Sequence, residues 1–245
     1  GCELLFGKPD AYPLRTYPQF EEKDEELRID PIAALMETMS KLKSDEKMWV
    51  QIVIQPAGKA WKKAGEEVVN ELMGKKEVKQ RTPLFGISAK EALLAPIEHP
   101  SLEVKKEESR DKKSEQLSPG KKSVLEAVEE KLSKLGFTAT IRICYIDSRE
   151  NFSRSNVVAM LGAFRQFNTE NLNALEVDKK TLPIMDYALF KKWRIEWRKR
   201  LLYERCKAVA VRRKAPVLNT EELATLYHFP SSVVLAPSLL RVEAK

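Results

Sequence analysis

The stretch Lys122–Gln166, KSVLEAVEEKLSKLGFTATIRICYIDSRENFSRSNVVAMLGAFRQ, decides the fold, because it spells a helix, a strand and a second helix in that order. Val124, Leu125, Val128, Leu132 and Leu135 recur at helical spacing, and Gly136 stands where a C-cap glycine belongs. Ala139, Ile141, Ile143 and Tyr145 then alternate with Thr138, Thr140 and Arg142. That is the pattern of an antiparallel strand with one packed and one polar face. Asn151 is a good N-cap for the helix that follows.

Working outward, Asp30–Met73 repeats this unit. A shift of 93 positions superimposes the two hydrophobic patterns without a gap, and places Met39–Leu42, MSKL, on Leu132–Leu135, LSKL. Ile32, Leu35, Met36, Met39 and Leu42 form the helical stripe of the first copy. Met48, Val50 and Ile52 fall on Ile141, Ile143 and Tyr145. The expected fold is therefore α+β: two duplicated α-β-α units sharing one antiparallel sheet, a sandwich with ferredoxin-like pseudo-two-fold symmetry. A long basic helix and a short C-terminal helix follow.

This reading divides the chain into four regions. Residues 1–98 hold an N-terminal extended segment and the first unit, with Glu3–Phe6 as an edge strand and the proline-punctuated Lys8–Phe20, KPDAYPLRTYPQF, laid along the surface. Residues 99–121, HPSLEVKKEESRDKKSEQLSPGK, are too charged and too poor in large apolar side chains to fold alone, and read as a linker. Residues 122–180 are the second unit, and residues 181–245 the basic helix and a C-terminal junction.

Composition bounds the function. The 245 residues are 43% hydrophobic and 32% charged, which suits a charge-rich globular protein. No apolar run approaches the roughly 20 residues that span a bilayer, and Gly1-Cys2-Glu3 has neither the basic start nor the apolar core of a signal peptide. Because the chain does not begin with Met, we expect a piece of a longer protein. Cys2, Cys144 and Cys206 are widely spaced, and with only His99 and His228 beside them no zinc constellation forms. A reducing, cytoplasmic compartment fits them.

The motifs of nucleotide hydrolysis are missing. Gly120-Lys121-Lys122-Ser123 lacks the first glycine of a phosphate loop. H-E-x-x-H, G-x-S-x-G and G-x-G-x-x-G do not occur either. The carboxylate pairs Glu129-Glu130 and Glu221-Glu222 read as solvated helix faces, and Asp147 and Glu150 as parts of a turn after a strand. No catalytic residue, cofactor site or metal site is expected.

The net charge of +7 belongs to one segment. Between Asp186 and Lys214, eleven Lys and Arg face three acids, so this segment carries +8 and the remainder −1. We read a helix over about Met185–Val211, with Phe190, Trp193, Trp197 and Leu201 as its apolar stripe and the two tryptophans as core anchors. Its cations have three readings: a solvated face whose stems cover apolar surface, contact with acidic lipid headgroups or an acidic neighbour, or a nucleic-acid backbone. In the last case Lys191, Lys192, Arg194, Arg198, Lys199, Arg205, Arg212 and Arg213 are the contacts, and the tryptophans could stack bases only if their face is exposed.

The junction Val217–Pro230, VLNTEELATLYHFP, carries its own start and stop signals. Asn219 is the N-cap and Glu222 its capping-box partner. Glu221 and Glu222 suit the positive end of the helix dipole. Leu223, Leu226 and Tyr227 form an apolar face, and after His228 the pair Phe229-Pro230 ends the helix.

This junction, followed by APSLLRVEAK, resembles the segment just upstream of the ATPase domain in bacterial proteins related to type IV secretion coupling ATPases and HerA/FtsK-like DNA translocases. The stretches Lys8–Phe20, Asp30–Leu35 and Gln51–Trp61 resemble the same family, so that all but the central linker takes part. The resemblance implies a non-catalytic accessory region that assembles or positions a motor at the inner face of the membrane. Its partners would be the downstream ATPase domain of the same polypeptide, DNA and further copies of the chain. The alternative is a stand-alone nucleic-acid-binding protein that uses the basic helix 186–214.

Overall fold

In the computed structural model, residues 1–20, 30–74, 117–183 and 190–230 are described. Among them lie five strands: β1 (Cys2–Phe6), β2 (Lys47–Pro56), β3 (Gly136–Ile146), β4 (Leu175–Val177) and β5 (Val217–Asn219). Six helices accompany them: α1 (Ala33–Ser40), α2 (Ala60–Leu72), α3 (Pro119–Ser133), α4 (Arg154–Phe164), α5 (Lys191–Lys207) and α6 (Thr220–Leu226). The linker expected over 99–121 falls outside the described residues up to residue 116; its last residues open α3.

β3 is the hub of a mixed α/β fold with an entirely antiparallel sheet. It pairs with β2 from Lys47↔Ile146 to Pro56↔Phe137. Its other edge carries β1 (Cys2↔Ile143 to Leu4↔Ile141) and, further along, β5 (Gly136↔Asn219 to Thr138↔Val217). β4 pairs with the outer side of β1. Glu3–Phe6 is therefore an interior strand and not the edge strand expected, because the short β4 closes over it.

Paired residues share a face, so Met48, Val50 and Ile52 join Ile141, Ile143, Tyr145, Cys2 and Leu4 on one side. There Leu35 of α1 and Met160 and Phe164 of α4 complete the main core. α2 and α3 build a second cluster from Val69, Met73, Leu125 and Val128, on which Ala11 packs.

The opposite face is not the solvated one the alternation suggested. Thr140 and Arg142 are both 1% exposed. Leu202 and Cys206 of α5 pack on Cys144 and Ile146 of β3, and the chain after α5 bonds to this face through Arg212 N–H to Thr140 Oγ1 (3.0 Å) and Ala139 N–H to the Pro216 carbonyl (2.8 Å). Alternation reveals which face is apolar; what covers the polar one depends on sequence far away.

Four other local expectations change. Gly136 opens β3 and is no C-cap, since α3 ends through Lys134 in an extended conformation; a Cβ at Gly136 would lie 2.5 Å from the Trp61 ring. α4 starts from Ser153 and not Asn151. Lys8–Phe20 is not a surface strap: Ala11, Leu14 and Phe20 are buried. Asn173, itself fully buried, donates to the Pro9 and Tyr12 carbonyls (3.2 and 3.0 Å) and accepts the Lys8 N–H (3.0 Å), meeting backbone groups that water no longer reaches.

The fourth change concerns Glu222. α6 has the expected capping box: Asn219 Oδ1 accepts the Glu222 N–H and Glu222 Oε2 accepts the Asn219 N–H, both at 2.7 Å. Yet Glu222 is fully buried rather than on a solvated face. It is ion-paired with the equally buried Lys131 of α3 at 3.0 Å, and its Oε1 accepts the Leu14 N–H at 2.7 Å. Lys131→Met should therefore cost roughly 3–5 kcal/mol of unfolding free energy in urea, because it strands a buried carboxylate. Adding Glu222→Gln should recover part of that loss, and purely additive effects in the double-mutant cycle would refute the coupling.

Candidate functional site

The basic helix α5 is held by its C-terminal half. Leu202 and Cys206 face the sheet, Tyr203 stacks on Trp49 of β2 (centroids 5.8 Å apart, 19° between planes), and Gln51 Nε2 donates to the Cys206 carbonyl at 3.0 Å. The N-terminal half has fewer supports: Lys191, Lys192, Trp193 and Arg194 are all exposed. Trp193 is 67% and Trp197 53% exposed, so neither is the core anchor expected. Their four-residue spacing does align them, but Leu202 sits about 100° round the helix from Leu201, and the face containing Leu202 is the one that packs. Phe190 precedes the helix at φ 60° and is also exposed.

α5 ends earlier than expected, at Lys207. Val209 N–H bonds to the Cys206 carbonyl (3.2 Å) and Ala210 N–H to the Arg205 carbonyl (3.0 Å), the paired bonds of a Schellman stop. This motif requires a left-handed residue, and Val209 supplies it at φ 48°, a costly conformation for a β-branched side chain. The turn sends the chain back along the helix, so that Ala210–Lys214 faces α5.

A cleft of about 690 Å³ lies between α5 and this return. Its floor is an ionic layer. Glu3, 1% exposed, accepts Arg142 Nε at 2.8 Å and Arg212 Nη1 at 2.5 Å. Arg212 also pairs with Asp178 at 2.7 Å, and Arg142 Nη1 donates to Gln51 Oε1 at 3.1 Å. Burial pushes the Asp178 carboxyl up, but the Lys180 N–H and the Arg212 guanidinium outweigh it and hold the group below the usual carboxylate range. Two carboxylates thus balance two arginines.

The mouth of the cleft is different. Arg205 reaches Glu3 only at 3.9 Å, and Lys180, Arg213 and Lys214 make no ion pair among the described residues. Arg198 lines the wall while donating to the Leu182 carbonyl at 3.0 Å. Trp197, Leu201 and Val211 add an apolar side.

A second cavity of about 650 Å³ lies where α1, β2 and α6 meet. Met36, Met39, Ile52 and Leu223 line it, while the Gln51 amide is turned to the other face of the sheet, on Arg142 and the Cys206 carbonyl. Among the described residues no three His, Cys, Asp or Glu side chains gather as metal ligands, and no helix is long and apolar enough to cross a membrane.

The model of a protein family, Domain of unknown function (DUF8128), matches residues 1–239. The chain belongs to that family. The match spans the residues of the sheet, the cleft and the junction helix. No curated protein and no solved structure matches the chain.

Of the residues picked from sequence, Arg198, Arg205, Arg212 and Arg213 come together at the cleft. Lys191, Lys192 and Arg194 lie on the exposed half of α5, and Lys199 sits 3.6 Å from Glu196. The junction residues lie elsewhere. Asn219 and Glu222 are buried, Glu221 pairs with Lys134, and Leu223 and the exposed Tyr227 border the apolar cavity. His228 Nε2 lies 2.8 Å from Asp30 Oδ1, and Pro230 is half-buried. Glu3, Arg142, Asp178 and Lys180 escaped sequence reading, because nothing local marks them as neighbours; Lys214 had only its charge to signal it.

Val209→Gly should raise the unfolding free energy by about 1 kcal/mol, since glycine adopts positive φ without strain. A lowered urea midpoint would show that the half-exposed valine contributes more by contact than it costs in strain. For Asp178, a depressed folded pKa means stability that is present above about pH 4 and lost as pH falls through the lower folded value. Asp178→Asn should therefore flatten acid unfolding below that pH, and an unchanged acid limb would remove the carboxylate from the stability balance.

Proposed function

We propose that this chain is a non-catalytic accessory region that binds nucleic acid beside a DNA-translocating motor, with α5 as its contact surface. The observation that carries this reading is the outward exposure of Trp193 and Trp197 among Lys191, Lys192 and Arg194. A solvated basic face accounts for the lysines but not for the indoles. Burying one indole completely is worth roughly 4–6 kcal/mol at about 25 cal/mol per Å², and here two on one helix face leave more than half of their surface in water. Nucleic acid answers both features, with phosphates for the cations and flat base faces for the rings.

The motor is argued from the resemblance of the junction, Lys8–Phe20, Asp30–Leu35 and Gln51–Trp61 to coupling-ATPase and HerA/FtsK-like proteins. On that reading the partners are a downstream ATPase domain of the same polypeptide, DNA and further copies of the chain, at the inner face of the membrane. The second reading, a stand-alone nucleic-acid-binding protein, rests on the same indoles without the motor. The gene's continuation past Lys245 separates them: a phosphate-loop domain favours the first, a stop codon the second.

We also read the fold as an internal duplication, in ferredoxin-like manner. Val50 faces Ile143 across the β2–β3 pair, and these two residues are equivalent under the 93-residue shift. A two-fold through that pair would exchange the α1–α4 contact with the α2–α3 contact.

Binding of labelled DNA, followed by fluorescence anisotropy, tests the function. Affinity should fall at least tenfold between about 50 and 200 mM salt. Replacing Lys191, Lys192 and Arg194 together by Glu should weaken it by a similar factor. No binding at low salt, or binding indifferent to this triple substitution, would end the proposal.

A further inference from the structure

We infer that the cleft between α5 and Ala210–Lys214 seats one nucleotide of a single strand, with its phosphate at the cationic mouth and its base against Trp197. This rests on the nucleic-acid reading of α5 and assigns that surface a substrate class.

The size argues first. About 690 Å³ falls within the range of roughly 300–1,000 Å³ of small-ligand sites. A base that is still paired and stacked inside a duplex cannot enter such a recess, whereas an unpaired nucleotide can.

The charge layers argue second. In the floor, Glu3 and Asp178 are matched by Arg142 and Arg212, so an anion placed there meets carboxylates as well as guanidiniums. At the mouth, Arg213 and Lys214 make no ion pair among the described residues, and Arg205 approaches Glu3 only at 3.9 Å. An anion is thus favoured at the rim and not at the bottom. The floor also holds its arginines fixed by two or more bonds each, which keeps them from collapsing into the cleft.

The wall argues third. Trp197, Leu201 and Val211 line the same cleft. Inorganic phosphate has no use for an indole and two aliphatic side chains, whereas a base and its sugar do. Trp193, one turn earlier on the same helix face, continues the stacking track along the exposed half of α5 and accounts for why a strand would run past the cleft rather than end in it.

The test uses the whole chain, with a labelled single strand of about 20 nucleotides, the matching blunt duplex, and phosphatidylserine vesicles. The single strand should bind at least tenfold more tightly than the duplex. Trp197→Ala should cost the single strand roughly tenfold, with Trp197→Phe restoring most of it, as expected for one stacked base. Arg213→Glu with Lys214→Glu should cost a similar factor. Both positions are exposed and make no ion pair among the described residues, so the thermal unfolding midpoint should stay put in this variant.

Equal affinity for strand and duplex would overturn the inference. So would an intact single-strand affinity in both cleft variants while the Lys191, Lys192 and Arg194 substitution still abolishes binding; the nucleic-acid reading would then survive alone. Loss of all DNA binding in the unmodified chain brings down both. Vesicle binding that exceeds strand binding and disappears in the cleft variants would hand the surface to lipid.

Discussion

One buried carboxylate holds three parts of this chain in place. Glu222 lies 208 residues from Leu14 and 91 from Lys131, yet it bonds to both and also closes the cap of α6. Removing a carboxylate and an ammonium from water costs several kcal/mol each. Here the cost is offset in part, because both oxygens of Glu222 are engaged by N–H donors, although burial still pushes the carboxyl up and the ammonium down. Lys131 finds, in addition, the Tyr12 carbonyl and the face of Phe6 at 4.8 Å. The proline-punctuated N-terminal segment, helix α3 and the junction helix consequently share one arrangement. None of them can shift without exposing an unpaired charge to an apolar surrounding.

The same economy recurs on the far side of the sheet. Glu3 and Asp178 stand to Arg142 and Arg212 as Glu222 stands to Lys131, with the difference that their layer lies beneath an open cleft. Charges on the floor are spent on each other, and those at the rim are not. A recess with a neutral base and a positive lip differs from a uniformly basic patch, which binds any polyanion by counterion release alone. Depth and charge together set this surface apart from the rest of the +8 segment.

Much of the fold was legible because it is written in local patterns. The alternation of Ala139, Ile141, Ile143 and Tyr145 marked β3 and its core face, and Asn219 with Glu222 marked the cap of α6. The pairing of β2 with β3 follows from their matched apolar rows, since a one-residue slip would turn Met48, Val50 and Ile52 to the wrong side. What stayed hidden was every relation between distant segments. Arg142 looked like a solvated arginine because its partner is Glu3; Trp193 and Trp197 looked like core residues because helical spacing gives a face without saying which face packs. Lys8–Phe20 looked superficial because the side chain that satisfies it, Asn173, lies more than 160 residues away.

The ionic floor has a consequence for the order in which the molecule is made. Arg212, the partner of Glu3, leaves the ribosome 209 positions after it. Until then the third residue of an interior strand carries a charge with no counterion from the return segment, and β1 has little reason to settle between its neighbours. Contacts of such long sequence separation form late and slowly. The cleft therefore needs the return segment: a chain that stops within α5 has the basic helix but lacks the recess behind it.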